Sequence, residues 1–417
     1  MSDLFAELEW RGFVQQATPQ LRAHLAKGPA TLYCGFDPTA SSLQLGNLMP
    51  LMLLRHFQRA GHKPIVLMGG GTGLIGDPSG KRNERQLLSK EQIREHLQHQ
   101  RDQMQRFLDF DPGPAQALVL NNADWLSKEP LIDFLRDVGK HFTVNIMLQK
   151  ESVQGRLEAG ISFTEFSYML LQAFDFLHLY RTHRCTLQVG GSDQWGNITA
   201  GIDLVRRVEG SEAHGLVAPL VTTAAGAKFG KTEAGAIWLD PALTRPYDLY
   251  QFWRNTDDRD VERYLKLFTL RTADDIRSLM SDQARNPGAR AAQEALAKDV
   301  VTLVHGEDVT KGVVQAAKSL FGDAGVEAIG QHAPVTTLTA RPETIVDALV
   351  ATGLAKSKSE ARRLIQQGGI YVNNERVTDV DQRPGPEDWK GPGGIELLLR
   401  KGKKDYALIR VSGGSPG

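Results

Sequence analysis

Short apolar runs alternate with longer amphipathic stretches through the first half of the chain. Thr31–Gly35 (TLYCG), Pro64–Met68 (PIVLM), Ala117–Leu120 and Thr186–Val189 are bounded by turn formers and have the length of buried strands. Between them, Asn47–Gly61 has helical periodicity and stops at a glycine. Ser89–Phe107 is helical in pattern, with Ser89 and Gln92 spaced as a capping box. Ser162 and Glu165 have the same spacing and open a helix reaching about Tyr180. A further helix follows Gly190-Gly191 and runs through Val208. This rhythm predicts an α/β domain, a doubly wound parallel sheet covered by helices on both faces.

Beyond it the pattern changes. Pro246 to Gly322 is helical only, and the stretch up to Pro342 has little periodicity and reads as a linker. Pro342–Gln367 is again helical. Ile370–Val377 (IYVNNERV) predicts two short strands around an Asn-Asn turn, and Leu397–Val411 two more around a basic turn. Residues 412–417 are expected to be a disordered tail. The boundaries are therefore 1–240, 241–325, a linker at 326–341, and 342–411, with no internal repeats.

Composition narrows the class more than the function. Hydrophobic residues are 41% and charged residues 24% of the 417, the balance of a globular protein with a sizeable core. The 49 basic residues equal the 49 acidic ones, so any nucleic-acid-binding surface must be local. Cys34 and Cys185 form no CxxC pair, which points to the reducing cytoplasm without structural disulfides. The N-terminus does not read as a signal peptide, and no apolar run approaches the ~18–20 residues of a membrane span.

The candidate chemistry lies where strands end. Tyr168, Gln172 and Asp175 fall four and three residues apart, on one face of the helix that Ser162 opens, among apolar neighbours. Such a stripe is either solvent-facing or the wall of a pocket whose ligand offers an amine and a hydroxyl. Gln188 and Asp77 follow other strands and fall near the same sheet edge, where parallel sheets bind ligands. Gly71–Gly76 matches GxGxxG but runs into Asp77-Pro78-Ser79-Gly80, which is turn chemistry rather than the start of a helix. Lys81 and Arg85, just beyond, could face a polyphosphate. Tyr33–Asn47 (YCGFDPTASSLQLGN) passes from a strand through a turn to a helix N-terminus, where free backbone N–H groups can meet phosphate. Lys228–Thr232 (KFGKT) places two lysines on a glycine-rich loop, suited to cover a triphosphate.

QLGN (Gln44–Asn47) and KFGKT together resemble the two signature motifs of class I aminoacyl-tRNA synthetases. YCGFDPT, GLIGDPSG, SFTEFSYMLLQAFDF, GGSDQWGNIT and KFGKT, in this order, resemble the bacterial tyrosyl-tRNA synthetases over nearly the whole chain. The resemblance implies a Rossmann-like catalytic domain, a helical anticodon-side domain and an RNA-binding module of the ribosomal-protein type. It implies activation of tyrosine with ATP and Mg2+, no protein-ligated metal, transfer to tRNA(Tyr), a homodimer, and no membrane or DNA partner.

The same resemblance assigns roles. Tyr33 and Asp175 hold the tyrosine hydroxyl; Asp77, Tyr168 and Gln172 hold its amino group, with Gln188 nearby. Cys34, Gly191 and Asp193 approach the ATP ribose, Gln194 lies near the reacting carboxylate, and Gly35, Asp37 and Gly46 belong to the ATP site. Thr39, Gln44 and Asn47 face the phosphates, and Lys81, Arg85, Lys228, Lys231 and Thr232 gather pyrophosphate. The family usually has histidine at both ends of the first signature; here Gln44 and Asn47 stand there, and both amides can donate to phosphate. Ala123, where an aromatic is common, is a smaller departure.

The alternative reading, a synthetase-like RNA-binding paralogue without catalysis, rests on Gln44 and Asn47. The presence of Lys228, Lys231, Asp175, Tyr168, Gln172 and Asp193 weighs against it. In the tail, Lys356, Lys358, Arg362 and Arg363 form one basic cluster and Arg400, Lys401, Lys403 and Lys404 a second. Arg341–Val411 carries 13 Lys+Arg and 10 Asp+Glu, net +3. Clustering and resemblance together favour contacts with the tRNA backbone.

Overall fold

A computed structural model of the full chain describes residues 3–79, 88–157, 160–232, 235–321, 335–373, 375–390, 394–402 and 405–412, with 151, 152, 232 and 318–321 described by backbone alone. It forms two compact units, Met1–His305 and Gly306–Gly417.

The first unit is built on a six-stranded sheet. Its strands are β1 (Gln16–Ala17), β2 (Thr31–Phe36), β3 (Lys63–Met68), β4 (Leu118–Asn121), β5 (Cys185–Gly191) and β6 (His214–Ala218), in the order β1-β6-β5-β2-β3-β4. All pairs are parallel except β1 with β6. The chain winds one way from β2 to β4, then returns to place β5 on the other side of β2. The switch point lies between β2 and β5, where an open parallel sheet leaves a crevice at its carboxyl edge.

Helices α1 (Leu4–Arg11), α2 (Leu21–Leu25), α3 (Leu48–Arg59), α4 (Lys90–Met104), α5 (Ala123–Leu126), α6 (Leu131–Asp137), α7 (Val144–Leu148), α8 (Glu151–Gln154), α9 (Phe163–His183) and α10 (Trp195–Glu209) surround the sheet. The expected capping box at Ser89 and Gln92 is present in full. At α9 the Ser162 hydroxyl accepts from the Glu165 N–H at 3.2 Å, while the Glu165 carboxylate is engaged by Arg156 at 2.7 Å in a buried ion pair. A single unpaired charge could not be kept there without large cost. Tyr33, Phe176, Ala173, Leu177 and Leu204 form one core between β2, α9 and α10.

Helices α11 (Pro246–Arg254), α12 (Asp258–Phe268), α13 (Ala273–Arg285) and α14 (Ala291–His305) complete this unit. Arg11 of α1 is buried and donates to the carbonyls of Lys266, Thr269 and Arg271 at 2.8–3.1 Å, capping the end of α12. A two-stranded ribbon, β7 (Lys231–Thr232) with β8 (Gly235–Ala236), precedes α11.

The second unit begins with α15 (Glu307–Phe321). Its sheet contains β9 (Val335–Leu338), β10 (Ile370–Val372), β11 (Glu375–Arg376), β12 (Glu396–Lys401) and β13 (Asp405–Val411), in the order β11-β10-β12-β13-β9. Two expectations change here. Val335–Leu338, read as linker, is a strand parallel to β13; its polar alternation suits an edge. The helix expected over Pro342–Gln367 is two, α16 (Ile345–Ala351) and α17 (Lys358–Gln366), each N-capped by its own hydroxyl, Thr344 and Ser357. Among the described residues, no helix is long and apolar enough to cross a membrane. Of the tail expected at 412–417, Ser412 donates its N–H to the Leu338 carbonyl at 2.8 Å, and residues 413–417 lie outside the described residues.

Candidate active site

A cavity of about 580 Å³ opens at the carboxyl ends of β2 and β5. Tyr33, Cys34, Gly35, Asp37 and Thr39 line it from β2 and the turn beyond. Gly46 and Asn47 come from the short turn that leads into α3, Asp77 from the turn after β3, and Tyr168, Gln172 and Asp175 from one face of α9. Gln188, Gly191, Asp193 and Gln194 follow from β5, and Lys228 from the second signature. Helical and strand periodicity thus converge the polar positions of distant segments on one space.

The deepest wall holds Tyr33 and Asp175, 1% and 2% exposed. Burial pushes the Asp175 carboxyl up to about 7, opposed by hydrogen bonds from Asn122 and Trp125. Trp125 Nε1 donates to Oδ1 at 2.8 Å and Asn122 Nδ2 to Oδ2 at 2.9 Å. Burial first, then the Asp175 charge, holds the Tyr33 phenol well above its ordinary value, so it stays protonated. Among the described residues, Tyr33 Oη and Gln188 Oε1 are buried here without a hydrogen-bond partner. Buried polar atoms of this kind require an explanation, and a polar ligand group supplies one.

A second network lines the middle of the cavity. Gln194 Nε2 donates to Asp77 Oδ2 at 2.7 Å, and Gln172 Nε2 to Gln194 Oε1 at 3.3 Å; Asn197 Nδ2 reaches Gln172 Oε1 at 3.0 Å. Tyr168 donates to Asp37 Oδ2 at 3.0 Å and Thr72 to Asp37 Oδ1 at 2.9 Å. Burial, then Asp37 and Asp77, keeps the Tyr168 phenol protonated. Gly69 is needed beside this network, because a Cβ there would sit 2.1 Å from Asp37 Oδ1. Burial raises the Cys34 thiol to about 12, so it is a neutral donor and not a nucleophile.

At the mouth the two signatures are joined through one residue. The Leu45 N–H donates to the Ile237 carbonyl at 2.9 Å, and the Ile237 N–H to the Gly230 carbonyl at 2.9 Å. Asn47 Oδ1 accepts from the Gln44 N–H at 2.8 Å, which turns the Nδ2 donor of Asn47 away from its own turn. Gln44 does not line the cavity; its backbone bridges to Trp238. Lys231 lies in β7, exposed and outside the cavity wall. Lys81 and Arg85 lie outside the described residues, as does the side chain of Thr232.

Asn122, Trp125, Thr72 and Asn197 were missed by the sequence reading. Asn122 and Trp125 follow the end of β4, the same sheet edge that flagged Asp77 and Gln188, and that position is the signal that could have found them.

In the second unit, Lys358 pairs with Asp347 at 2.7 Å, and Lys401 donates to the Leu354 carbonyl at 2.9 Å and pairs with Glu360 at 3.6 Å. The Arg400 guanidinium stacks 3.6 Å from the Tyr371 ring centroid. Among the described residues, Lys356, Arg362 and Arg363 are exposed and form no ion pair. Lys403 and Lys404 lie outside the described residues.

The family model of class I tRNA synthetases (W and Y) matches residues 25–322, and that of the tyrosine–tRNA ligase SYY-like C-terminal domain matches 325–409. The chain is 52% identical over 422 residues to a tyrosine–tRNA ligase of Anaeromyxobacter dehalogenans, covering 99% of this chain and 100% of that one. It is 52% identical over 420 residues to that of Bacillus caldotenax, covering 98% and 100%. A crystal structure of a C-terminally truncated mitochondrial tyrosyl-tRNA synthetase from Aspergillus nidulans superposes with a TM-score of 0.71 at 31% identity, covering 77% of this chain and 95% of that one. Fold, cavity and full-length likeness agree, and the chain belongs to the bacterial tyrosyl-tRNA synthetases, class I ATP-dependent ligases.

Proposed function

We propose that this cavity activates tyrosine and that the chain then charges tRNA(Tyr). The observation that carries the reading is the deep Tyr33–Asp175 wall: an orphan buried hydroxyl near a carboxylate suits a ligand phenol and disfavours a ligand without one, which would leave the Tyr33 hydroxyl unpaired. Asp77, Tyr168 and Gln172 would hold the amino group, with Gln188 beside it. Cys34, Gly35, Asp37, Gly46, Gly191, Asp193 and Gln194 would surround ATP. Thr39 and Asn47 would face its phosphates, with Gln44 bracing Asn47 through its backbone N–H, and Lys81, Arg85, Lys228, Lys231 and Thr232 would meet the departing pyrophosphate.

The tyrosine carboxylate attacks the α-phosphorus in line, and the bond to the bridging oxygen of pyrophosphate breaks. Negative charge builds on the phosphoryl oxygens, so positioned donors that fit this state best supply the catalysis and no protein nucleophile is needed. A tRNA ribose hydroxyl then attacks the adenylate carbonyl and AMP leaves. Mg2+ would come on the ATP phosphates. Asp77 and Asp175 in the cavity wall are already committed to hydrogen bonds.

We further infer a homodimer in the cytoplasm, with 241–325 serving the anticodon side and Lys356, Lys358, Arg362, Arg363, Arg400, Lys401, Lys403 and Lys404 meeting tRNA phosphates. The exposed apolar side chains of Leu131, Ile132, Val144, Ile146 and Phe163, the last 79% exposed, support a self-association face on the first unit. Light scattering at micromolar concentration tests this, and a monomer refutes it. Tyrosine-dependent exchange of pyrophosphate into ATP, with phenylalanine as control, tests the site. Exchange with tyrosine alone is expected; none from folded protein that still binds tRNA favours the non-catalytic paralogue.

A further inference from the structure

The second signature loop is seated by the helices that follow it, through a side chain with no role in the chemistry above. Phe229 stands between Lys228 and Lys231, and its ring lies among four aromatics of α11 and α12. Centroid distances are 5.9 Å to Phe252, 5.5 Å to Trp253, 5.1 Å to Tyr264 and 5.1 Å to Phe268, the last stacked within 6°. Trp253 and Phe268 are fully buried, so the receiving side of this box is fixed core.

The same helix holds the approach to the loop. The Ala224 N–H donates to Asp260 Oδ2 at 2.8 Å. Tyr264 Oη donates to the Thr222 carbonyl at 3.2 Å, and the Arg263 guanidinium donates to the same carbonyl. On the other side of Phe229, Gly230 (φ 75°) lies against the first signature: a Cβ on it would stand 3.0 Å from Leu45 Cβ. α12 also packs on α3, the helix that the first signature opens. Phe229-Gly230 is therefore a pivot held between the helical region and the first signature, with a lysine on each side.

We propose that Phe229 is a positioning residue for adenylate formation: its seat in the α11–α12 aromatic box sets where Lys228, in the cavity wall, and Lys231, just outside it, stand relative to the cavity, so the placement of α12 governs the second signature. This rests on the reading that those lysines meet pyrophosphate. The chemistry that recognises Phe229 is apolar and ring-shaped, so a smaller apolar side chain keeps part of the seat and alanine loses it.

The test uses the full chain with Phe229→Ala and Phe229→Leu, each alone and with Lys231→Ala. The readouts are the rate constant of tyrosyl-adenylate formation, tyrosine Kd and Tm. For Phe229→Ala we expect the rate constant to fall about tenfold or more, with tyrosine Kd within about twofold of wild type, because the deep wall is untouched. Phe229→Leu should recover most of the rate. In the Lys231→Ala background, Phe229→Ala should cost less than it does alone, since residues acting through one another are not additive. A wild-type rate in Phe229→Ala, full additivity with Lys231→Ala, or a parallel loss of tyrosine affinity in both Phe229 variants would each overturn the proposal. Wild-type rates in Lys228→Ala and Lys231→Ala would instead overturn the lysine assignment, and the positioning role with it.

Discussion

Trp125 donates its indole N–H to Asp175 Oδ1 at 2.8 Å, and its ring stacks on His178 at 4.2 Å with 13° between planes. The bond stabilises the charged carboxylate against the burial that opposes it. Trp125→Phe keeps an aromatic ring for the stack and removes only the donor. A hydrogen bond to a charged group contributes roughly 1.5–3 kcal/mol. Tyrosine affinity in this variant should therefore fall about tenfold or more, with a smaller loss for phenylalanine. Equilibrium binding of the two amino acids measures the ratio, and an unchanged ratio would remove Trp125 from the specificity apparatus.

Asp175 also makes stability depend on pH. Its carboxyl is raised to about 7 in the folded protein from the usual 3.8. Between these values the folded state holds a proton that the unfolded chain has released, so this residue's contribution to stability falls as pH rises from about 4 to about 7 and then levels. The charge it carries above pH 7 is a cost of a few kcal/mol to the fold. Asp175→Asn cannot titrate, so its unfolding free energy, followed in urea from pH 5 to 8, should lose this downward component. A difference between variant and wild type that stays constant over that window would show that Asp175 ionises at its ordinary value.

The wall around Asp175 also shows what the sequence could and could not reveal. Tyr168, Gln172 and Asp175 were legible because helical spacing places them on one face, and Asp77 and Gln188 because strand ends mark the sheet edge. Asn122 and Trp125 also follow a strand end, but that position alone does not single them out; that they face Asp175 follows from the pairing of β4 beside β3, a non-local relation with no local period. The same reason hid β9. Val335–Leu338 has no apolar run of its own and becomes a strand because β13 offers it an edge. The break between α16 and α17 follows from two local caps, Thr344 and Ser357, and only the second interrupts the expected helix.

The two amides of the first signature stand differently. Asn47 lines the cavity, and its Oδ1 is fixed on the Gln44 N–H, which presents Nδ2 as a donor. Gln44 lies outside the cavity wall. Asn47→Ala removes both the donor and the brace, so the rate constant for adenylate formation should fall about 10- to 100-fold, at nearly unchanged tyrosine affinity. Gln44→Ala should cost less. Single-turnover kinetics with both variants decides the order, and a larger loss at Gln44 would mean that its side chain swings to the phosphates when ATP binds.

The basic residues of the second unit should not contribute equally to tRNA binding, because the fold has already engaged some of them. Lys358 and Lys401 are held by Asp347 and Glu360, while Arg362 and Arg363 on α17 remain exposed without an ion pair among the described residues. A cation that must leave a carboxylate to meet a phosphate gains less from doing so, and while it stays paired it neutralises no phosphate and releases no counterion from the RNA. Arg362→Ala and Arg363→Ala should each weaken tRNA binding and reduce the slope of log K against log salt by about 1, close to the value for one lost phosphate contact. Lys358→Ala should change that slope little, since it also frees Asp347. None of these variants should alter pyrophosphate exchange. Filter binding across a salt series reads the slopes, and an equal loss for Lys358→Ala and Arg362→Ala would mean that the Lys358–Asp347 pair opens on the RNA.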